Sequence, residues 1–247
     1  MAKFDMGAAW DDSVSLLKSH TTLTGAIAAV FLFVPSLAIA WFGPTPIEAR
    51  GETLDQLLTA FRANALQFLP YQLVAAVFAL VGTVAILRLW LSRSGTSVGE
   101  AIGFALRLLP TLIVLQILTG LILGMGFILL IIPGLYLIGR LALVSPVLAD
   151  RGLYNPIEAL AASWALTRGN GWSIFFFLFL VMIALGITML ILTGVVSLVA
   201  GSGPGIGHII SGFLEAALGA VASMVSLAIS AAAYRQLAMP RSAGVFE

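Results

Sequence analysis

Arg140 and Glu215 stand out because apolar residues surround both of them. A charge at the depth of the hydrocarbon core is costly, so it is usually paired or functional. Counted along the predicted helices, Arg140 lies about 9 Å and Glu215 about 10 Å from the same outer membrane surface. The matching depths predict an intramembrane ion pair. Its role is open: the pair fixes helix register, binds a lipid headgroup or moves a proton, or Arg140 reaches the outer headgroups unpaired.

Other residue types that carry chemistry are scarce. The chain has no cysteine and two histidines, His20 and His208, which excludes a thiolate metal site, a cysteine nucleophile and a three-histidine zinc site. The sequence contains no H-E-x-x-H, no G-x-S-x-G and no phosphate-loop lysine. We therefore predict no catalytic residue, no metal site, no cofactor and no enzymatic activity.

Composition determines the class of protein that must position these residues. Of 247 residues, 60% are hydrophobic and 9% are charged, and the net charge is +1. Soluble domains carry about 25% charged residues, so a water-soluble globule is excluded. The small net charge predicts no nucleic-acid partner. The expected partners are membrane lipids, with a second membrane protein as an open alternative.

Apolar runs predict an all-α, integral membrane six-helix bundle that forms one domain over residues 1–247. Between the third and fourth spans the chain turns at Pro133 and Gly134, with Gly124 and Gly126 as the rival turn site. The first span is expected to stay as an anchor, although Ala38-Ile39-Ala40 also resembles a signal-peptide cleavage site. The predicted spans are 23–42, 71–91, 110–131, 134–148, 172–200 and 208–237.

The distribution of basic residues predicts the orientation of the chain. With both termini in the cytoplasm, only Arg50 and Arg62 fall outside, which agrees with the positive-inside rule. Aromatic residues at the span ends, among them Trp41 and Trp172, fit an interfacial belt. The expected location is a bacterial inner membrane. The basic residues on the cytoplasmic side are Lys3, Lys18, Arg88, Arg93, Arg107, Arg151, Arg168, Arg235 and Arg241.

Three amphipathic segments before the first, third and fifth spans align with one another. Each begins with a residue that can cap a helix N-terminus: Asp5, Ser97 or Asn155. The pattern predicts three pseudo-repeats, each an interfacial helix followed by a transmembrane hairpin, although any alanine-rich interfacial helices would align similarly. A fourth amphipathic helix is predicted in the outer loop. The four interfacial helices are predicted at 6–18, 54–68, 98–109 and 156–168.

A set of residues from the fourth span to the fifth carries a family resemblance. The segment P-G-L-Y-L-I-G-R is followed by E-A-L-A-A-S-W-A-L-T-R-G, which resembles the YciC-like inner-membrane proteins and the membrane domain of some glycerophosphoryl diester phosphodiesterases. The resemblance implies a six-helix membrane protein of the cell envelope without the phosphodiesterase chemistry, which belongs to a separate soluble domain. The motif residues are Pro133, Gly134, Tyr136, Arg140, Pro146, Glu158, Trp164 and Arg168.

Three functions are consistent with these patterns. The first is a non-enzymatic membrane protein that interacts with lipid or maintains the envelope. The second is a small-molecule or lipid transporter with an intramembrane charged site, which predicts a polar cavity near the middle of the membrane. The third is an intramembrane enzyme that acts on lipid phosphates through Glu100, Arg107, Glu158 and Arg168, although such residues usually solvate a surface helix.

Overall fold

The structure, a computed structural model, describes residues 3–19, 21–47, 53–92, 95–200 and 205–238. Every regular element in these ranges is helical, which confirms the all-α class. Outside these described ranges lie His20, Arg50, Arg93 and Arg241. The elements are α1 Met6–Lys18, α2 Thr21–Ala28, a π-helical turn Ala29–Phe33, α3 Val34–Phe42, α4 Leu54–Leu91, α5 Val98–Leu129, α6 Ile131–Leu141, α7 Val144–Arg151, α8 Pro156–Leu166, α9 Gly171–Ala200 and α10 Ile206–Ala238.

Six helical segments in the described chain are long and apolar enough to cross a membrane, as predicted. The first runs through α2, the π-helical turn and α3, and the fourth joins α6 to α7. The orientation of the chain remains a prediction. The six segments are Thr21–Phe42, Leu54–Leu91, Val98–Leu129, Ile131–Arg151, Gly171–Val196 and Ile206–Ala238.

Two of the predicted interfacial helices are not separate elements. Residues 54–68 and 98–109 continue without a break into the spans that follow them, forming α4 and α5. Pro70 and Pro110 lie inside these helices. Each proline removes one backbone hydrogen bond, but the helix continues because an apolar environment makes any alternative to helical pairing more costly. Of the four predicted interfacial helices, α1 and α8 are separate elements.

The hairpin between α5 and α6 turns at Leu130, three residues before the predicted Pro133. Leu130 is extended, with φ −164° and ψ 148°. Pro133 instead occupies the first turn of α6, where a missing N–H removes no helical hydrogen bond. Gly126, of the rival turn site, faces Gly134: a Cβ on Gly126 would lie 3.2 Å from the Gly134 Cα. The predicted turn glycines therefore form the contact between the two helices.

The three aligned segments bury equivalent positions, as three structural repeats would. Ala9, Ala101 and Ala159 are all fully buried. One helical turn later, Ser13, Ala105 and Ser163 are buried as well. The same face therefore packs inward in α1, in the start of α5 and in α8.

One end of the bundle, which we call the base, joins α4, α5, α7 and α10. The Arg88 guanidinium donates to the carbonyl oxygens of Ala149 and Asp150, both at 3.0 Å, and lies 4.6 Å from the centroid of the Phe104 ring. The Tyr234 hydroxyl donates to the Asp150 carboxylate at 2.7 Å. The opposite end, where α3 ends and α10 begins, we call the tip.

Candidate functional site

Arg140 lies at the end of α6, where that helix meets α8. Because α6 ends at Leu141, the Arg140 carbonyl is among the last ones, which have no partner within the helix. The hydroxyls of Ser163, on α8, and Thr167, the residue that ends α8, donate to this oxygen at 2.9 and 3.1 Å. These bonds fix the backbone of Arg140 against α8.

The start of α9 packs closely on the same part of α6. A Cβ on Gly139 would overlap the carbonyl oxygen of Gly171, the first residue of α9. A Cβ on Gly171 would lie 2.8 Å from the Arg140 Cδ. The absence of side chains at these two glycines therefore lets the Arg140 side chain lie beside the N-terminus of α9.

The guanidinium of Arg140 is enclosed by aromatic rings. Arg140 is only 3% exposed, and neither its Nε nor its Nη1 has a hydrogen-bond partner. Its Cζ lies 4.1 Å from the Trp164 ring centroid and 5.8 Å from that of Tyr136. The Trp172 ring lies 5.6 Å from the Tyr136 ring. We call these four residues, with the first turn of α9, the Arg140 site.

The electrostatics of the Arg140 site favour an anion. A cation over an aromatic ring gains roughly 0.5–2 kcal/mol, whereas removing a charge from water costs several kcal/mol. The N-terminus of α9 adds a second positive potential, because helix dipoles place about half a positive charge there. Among the described residues, the single ion pair is Asp12–Arg235 at 3.4 Å, so no carboxylate compensates Arg140.

The predicted ion pair between Arg140 and Glu215 does not form. The prediction counted depth along one helix from 134 to 148, but α6 ends at Leu141 and places Arg140 against α8 at the base. Glu215 lies on α10 near the tip, where it shares a cleft with Trp41 at the end of α3. The structure thus separates the two charges.

The cleft around Glu215, which we call the tip cleft, has a volume of about 490 Å³. Its walls come from α3, the segment after it, α4 and the start of α10. The side chains that matter for its chemistry are Ser36, Trp41, Phe68, His208, Ser211 and Glu215.

A second space, which we call the inner cavity, lies beside the tip cleft along α10. It has a volume of about 290 Å³, and Ser36 lines both spaces. Gln72 and Ser223 are its other polar side chains. Beyond it α10 is packed, since Ala228 and Ile229 are buried. Among the described residues, this space therefore ends before the packed segment of α10.

The three predicted N-caps act as caps. Asp5 accepts from the Ala8 amide at 3.0 Å, and Asn155 accepts from the Ile157 amide at 3.0 Å. Ser97 forms a full capping box, in which its own amide donates to the Glu100 carboxylate at 2.8 Å. These residues determine where helices start and take no part in either site.

The motif residues separate into two groups. Tyr136, Arg140 and Trp164 meet in the Arg140 site. The others have different positions: Pro133 and Gly134 follow the hairpin turn, Pro146 is buried in α7, and Glu158 and Arg168 are exposed at either end of α8.

No family model, curated protein or solved structure matches this chain. The likeness to YciC-like proteins therefore remains a prediction that rests on the motif residues.

Proposed function

We propose that this integral membrane protein is non-catalytic and binds the phosphate of an anionic lipid headgroup at the Arg140 site. The observation that carries the proposal is a buried guanidinium whose Nε and Nη1 have no hydrogen-bond partner and which forms no ion pair in the described residues. A guanidinium stays protonated in proteins, so burial does not neutralise it. Its planar donors match phosphate oxygens, and the nearby helix N-terminus favours the same charge.

The aromatic residues around Arg140 support a lipid as the source of the phosphate. Tryptophan and tyrosine accumulate where membrane headgroups meet acyl chains. Trp164, which contacts the guanidinium, and Trp172, which contacts Tyr136, are both exposed. With the predicted orientation, the base faces the cytoplasm, so the lipid would come from the inner leaflet of a bacterial inner membrane. A role in the cell envelope is consistent with this placement.

The surroundings of Arg140 support binding rather than reaction. The neighbouring hydroxyls of Ser163 and Thr167 donate to a backbone carbonyl and so have a structural role. A hydrolytic or transfer reaction would require a positioned base or nucleophile beside the phosphate. No carboxylate or histidine among the described residues is paired with the guanidinium.

The first prediction concerns an Arg140→Gln variant in nanodiscs of phosphatidylglycerol and phosphatidylethanolamine. We expect it to retain phosphatidylglycerol at least about tenfold less than wild type does, which corresponds to about 1.4 kcal/mol. Native mass spectrometry after release into detergent measures the retention. Arg140→Lys keeps the charge without the planar donors and should fall between the two.

Arg107→Gln is the matched control, because Arg107 is exposed on α5. In a parallel measurement, added phosphatidylglycerol should raise the Tm of wild type but not that of Arg140→Gln. Inorganic phosphate should leave both values unchanged; stabilisation of wild type by inorganic phosphate would indicate a soluble phosphate ligand. Equal lipid retention by Arg140→Gln and wild type would contradict the proposal, and turnover of the lipid would contradict its non-catalytic part.

Transport is a second candidate function, and the inner cavity is the observation that favours it. The transport hypothesis predicts a polar cavity near the middle of the membrane, and the polar side chains of Ser36, Gln72 and Ser223 line a space between the helices. The packed segment of α10 beyond the inner cavity would close the transport path on the side of the base. Transport requires water to reach the cavity from the tip.

The second prediction uses the absence of cysteine from the chain. We expect Ser223→Cys in nanodiscs to react with a membrane-impermeant methanethiosulfonate at least about tenfold faster than Ser163→Cys. Ser163 is fully buried at the base and is the matched control. The rates come from intact-protein mass spectrometry. Equally slow labelling at both positions would mean that the inner cavity is dry, and the transport candidate would lose its support.

A further inference from the structure

The tip cleft combines three features that point to a ligand site. It has the volume of a small-molecule site, since about 490 Å³ lies within the usual range of roughly 300–1,000 Å³. Among the described residues that line it, the one carboxylate is that of Glu215. It is also walled by aromatic rings, those of Trp41 and Phe68.

Glu215 has no partner in the described structure. It makes no hydrogen bond, and the single ion pair in the described ranges joins Asp12 to Arg235. It lies nine residues into α10, or about 14 Å along the helix axis from Ile206. An unpaired carboxylate on a helix that can span a membrane is a candidate for a functional position.

The Trp41 ring is held in place beside this carboxylate. Its Nε1 donates to the carbonyl oxygen of Ile209 at 3.1 Å. A Cβ on Gly212 would lie 3.0 Å from the Trp41 Cδ1, so the ring lies directly on α10. Gly212 and Glu215 are three residues apart and therefore share a helix face. The fixed ring and the carboxylate thus line the same cleft.

We infer that the tip cleft binds a small organic cation, with the Glu215 carboxylate as its counter-charge and the Trp41 and Phe68 rings as its walls. Aromatic rings attract an ammonium through their negative faces, and an opposite charge adds to that attraction. A metal ion fits less well: the described residues contain no group of three or more histidine, cysteine, aspartate or glutamate side chains that could hold one. One carboxylate with aromatic walls suits a weakly hydrated cation.

This site is independent of the lipid proposal. Arg140 lies against α8 at the base, whereas the tip cleft is formed by α3, α4 and the start of α10. The inference also holds whether or not the bound cation moves on toward the inner cavity. If the protein is a transporter, the tip cleft predicts that its substrate is a small organic cation.

The third prediction uses benzyltrimethylammonium as the probe and isothermal titration calorimetry on the full chain in nanodiscs. We expect saturable binding by wild type and at least about tenfold weaker binding by Glu215→Gln. Trp41→Leu should also bind more weakly, because it removes the fixed ring but keeps the charge. Glu158→Gln, which removes an exposed carboxylate on α8, is the matched control and should bind as wild type does.

Two further measurements keep the test decisive. Benzenesulfonate, an anion of similar size, should show no saturable binding to wild type. Thermal unfolding should show that Glu215→Gln keeps the wild-type Tm, so that weaker binding reports the site and not the fold. Equal affinity of wild type and Glu215→Gln for the cation, or equal binding of cation and anion, would overturn the inference, whatever the outcome for lipid retention at Arg140.

Discussion

A Gly139→Ala variant is expected to unfold at a Tm roughly 2–12 °C below that of wild type. The added Cβ would overlap the carbonyl oxygen of Gly171 and lie 3.1 Å from the Phe175 Cβ. The oxygen belongs to the backbone and cannot rotate away, so α6 and α9 must separate. Overpacking of this kind costs about 1–3 kcal/mol, and each kcal/mol corresponds to roughly 2–4 °C for a chain of this length.

The matched control for this variant is Gly186→Ala. Gly186 is also helical, on α9, and a Cβ there meets no atom within 4 Å. Replacing a helical glycine by alanine without a clash gains roughly 0.5–1 kcal/mol, so this control should unfold at the wild-type Tm or slightly above it. Differential scanning fluorimetry in one detergent compares the two variants. A Gly139→Ala protein as stable as the control would show that the contact between α6 and α9 is looser than described.

Separation of α6 from α9 should also disturb the Arg140 site. The guanidinium lies beside the first turn of α9 because Gly139 and Gly171 allow the close approach. We therefore expect Gly139→Ala to weaken retention of phosphatidylglycerol without changing the arginine itself. This second readout connects the packing of the two helices to the proposed lipid site.

An Arg88→Leu variant is expected to be destabilised by about 3 kcal/mol, a loss of roughly 6–12 °C in Tm. Arg88 donates to the carbonyl oxygens of Ala149 and Asp150, which lie in the last turn of α7. Without it these helix-end carbonyls lose their donor, and Ala149 is fully buried. The change also removes the positive charge that favours a helix C-terminus and the contact with the Phe104 ring.

Two variants control for the loss of a charge at position 88. Arg107→Leu makes the same substitution at an exposed position on α5 and should change the Tm little. Arg88→Lys keeps the charge but not the geometry of the guanidinium, so its Tm should lie between wild type and Arg88→Leu. If Arg88→Leu and Arg107→Leu have the same Tm, the base does not depend on this arginine.

Helix starts were predictable because capping is local. Asp5, Ser97 and Asn155 each bind an amide two or three residues away, and the signal lies within a few letters of sequence. The six spans were predictable for a related reason, since length and hydropathy belong to each segment alone. The continuity of α4 and α5 was harder to predict. Pro70 and Pro110 resemble helix boundaries, but both helices continue through them.

The surroundings of Arg140 and Glu215 were not predictable, because they depend on how helices pack. Counting residues placed Arg140 and Glu215 at one depth but assumed a single straight fourth span, whereas α6 and α7 are separate helices. Tyr136 and Trp164 were predicted only as motif residues. Their spacing along the chain carries no sign that their rings would enclose Arg140.

The inner cavity shows a further limit of sequence patterns. Gly219 and Ser223 have the spacing of residues that let helices pack closely. Here they border a cavity, because the first span facing them contains Pro35 and a π-helical turn. The sequence feature that could have predicted the inner cavity is Gln72, a single glutamine in an apolar run.

The π-helical turn makes the orientation of every later residue of the first span depend on the number of residues in the turn. In this turn the Val34 amide donates to the Ala29 carbonyl, so the turn holds one residue more than an α-helical turn. Every later residue of the first span is therefore rotated by about 100° around the helix axis. Deleting one residue from Ala29–Phe33 would restore a regular helix and turn Ser36 and Trp41 away from Glu215. In a comparison of related chains, a one-residue gap in this segment would therefore mark a change at the proposed cation site, even where every side chain of the cleft is conserved.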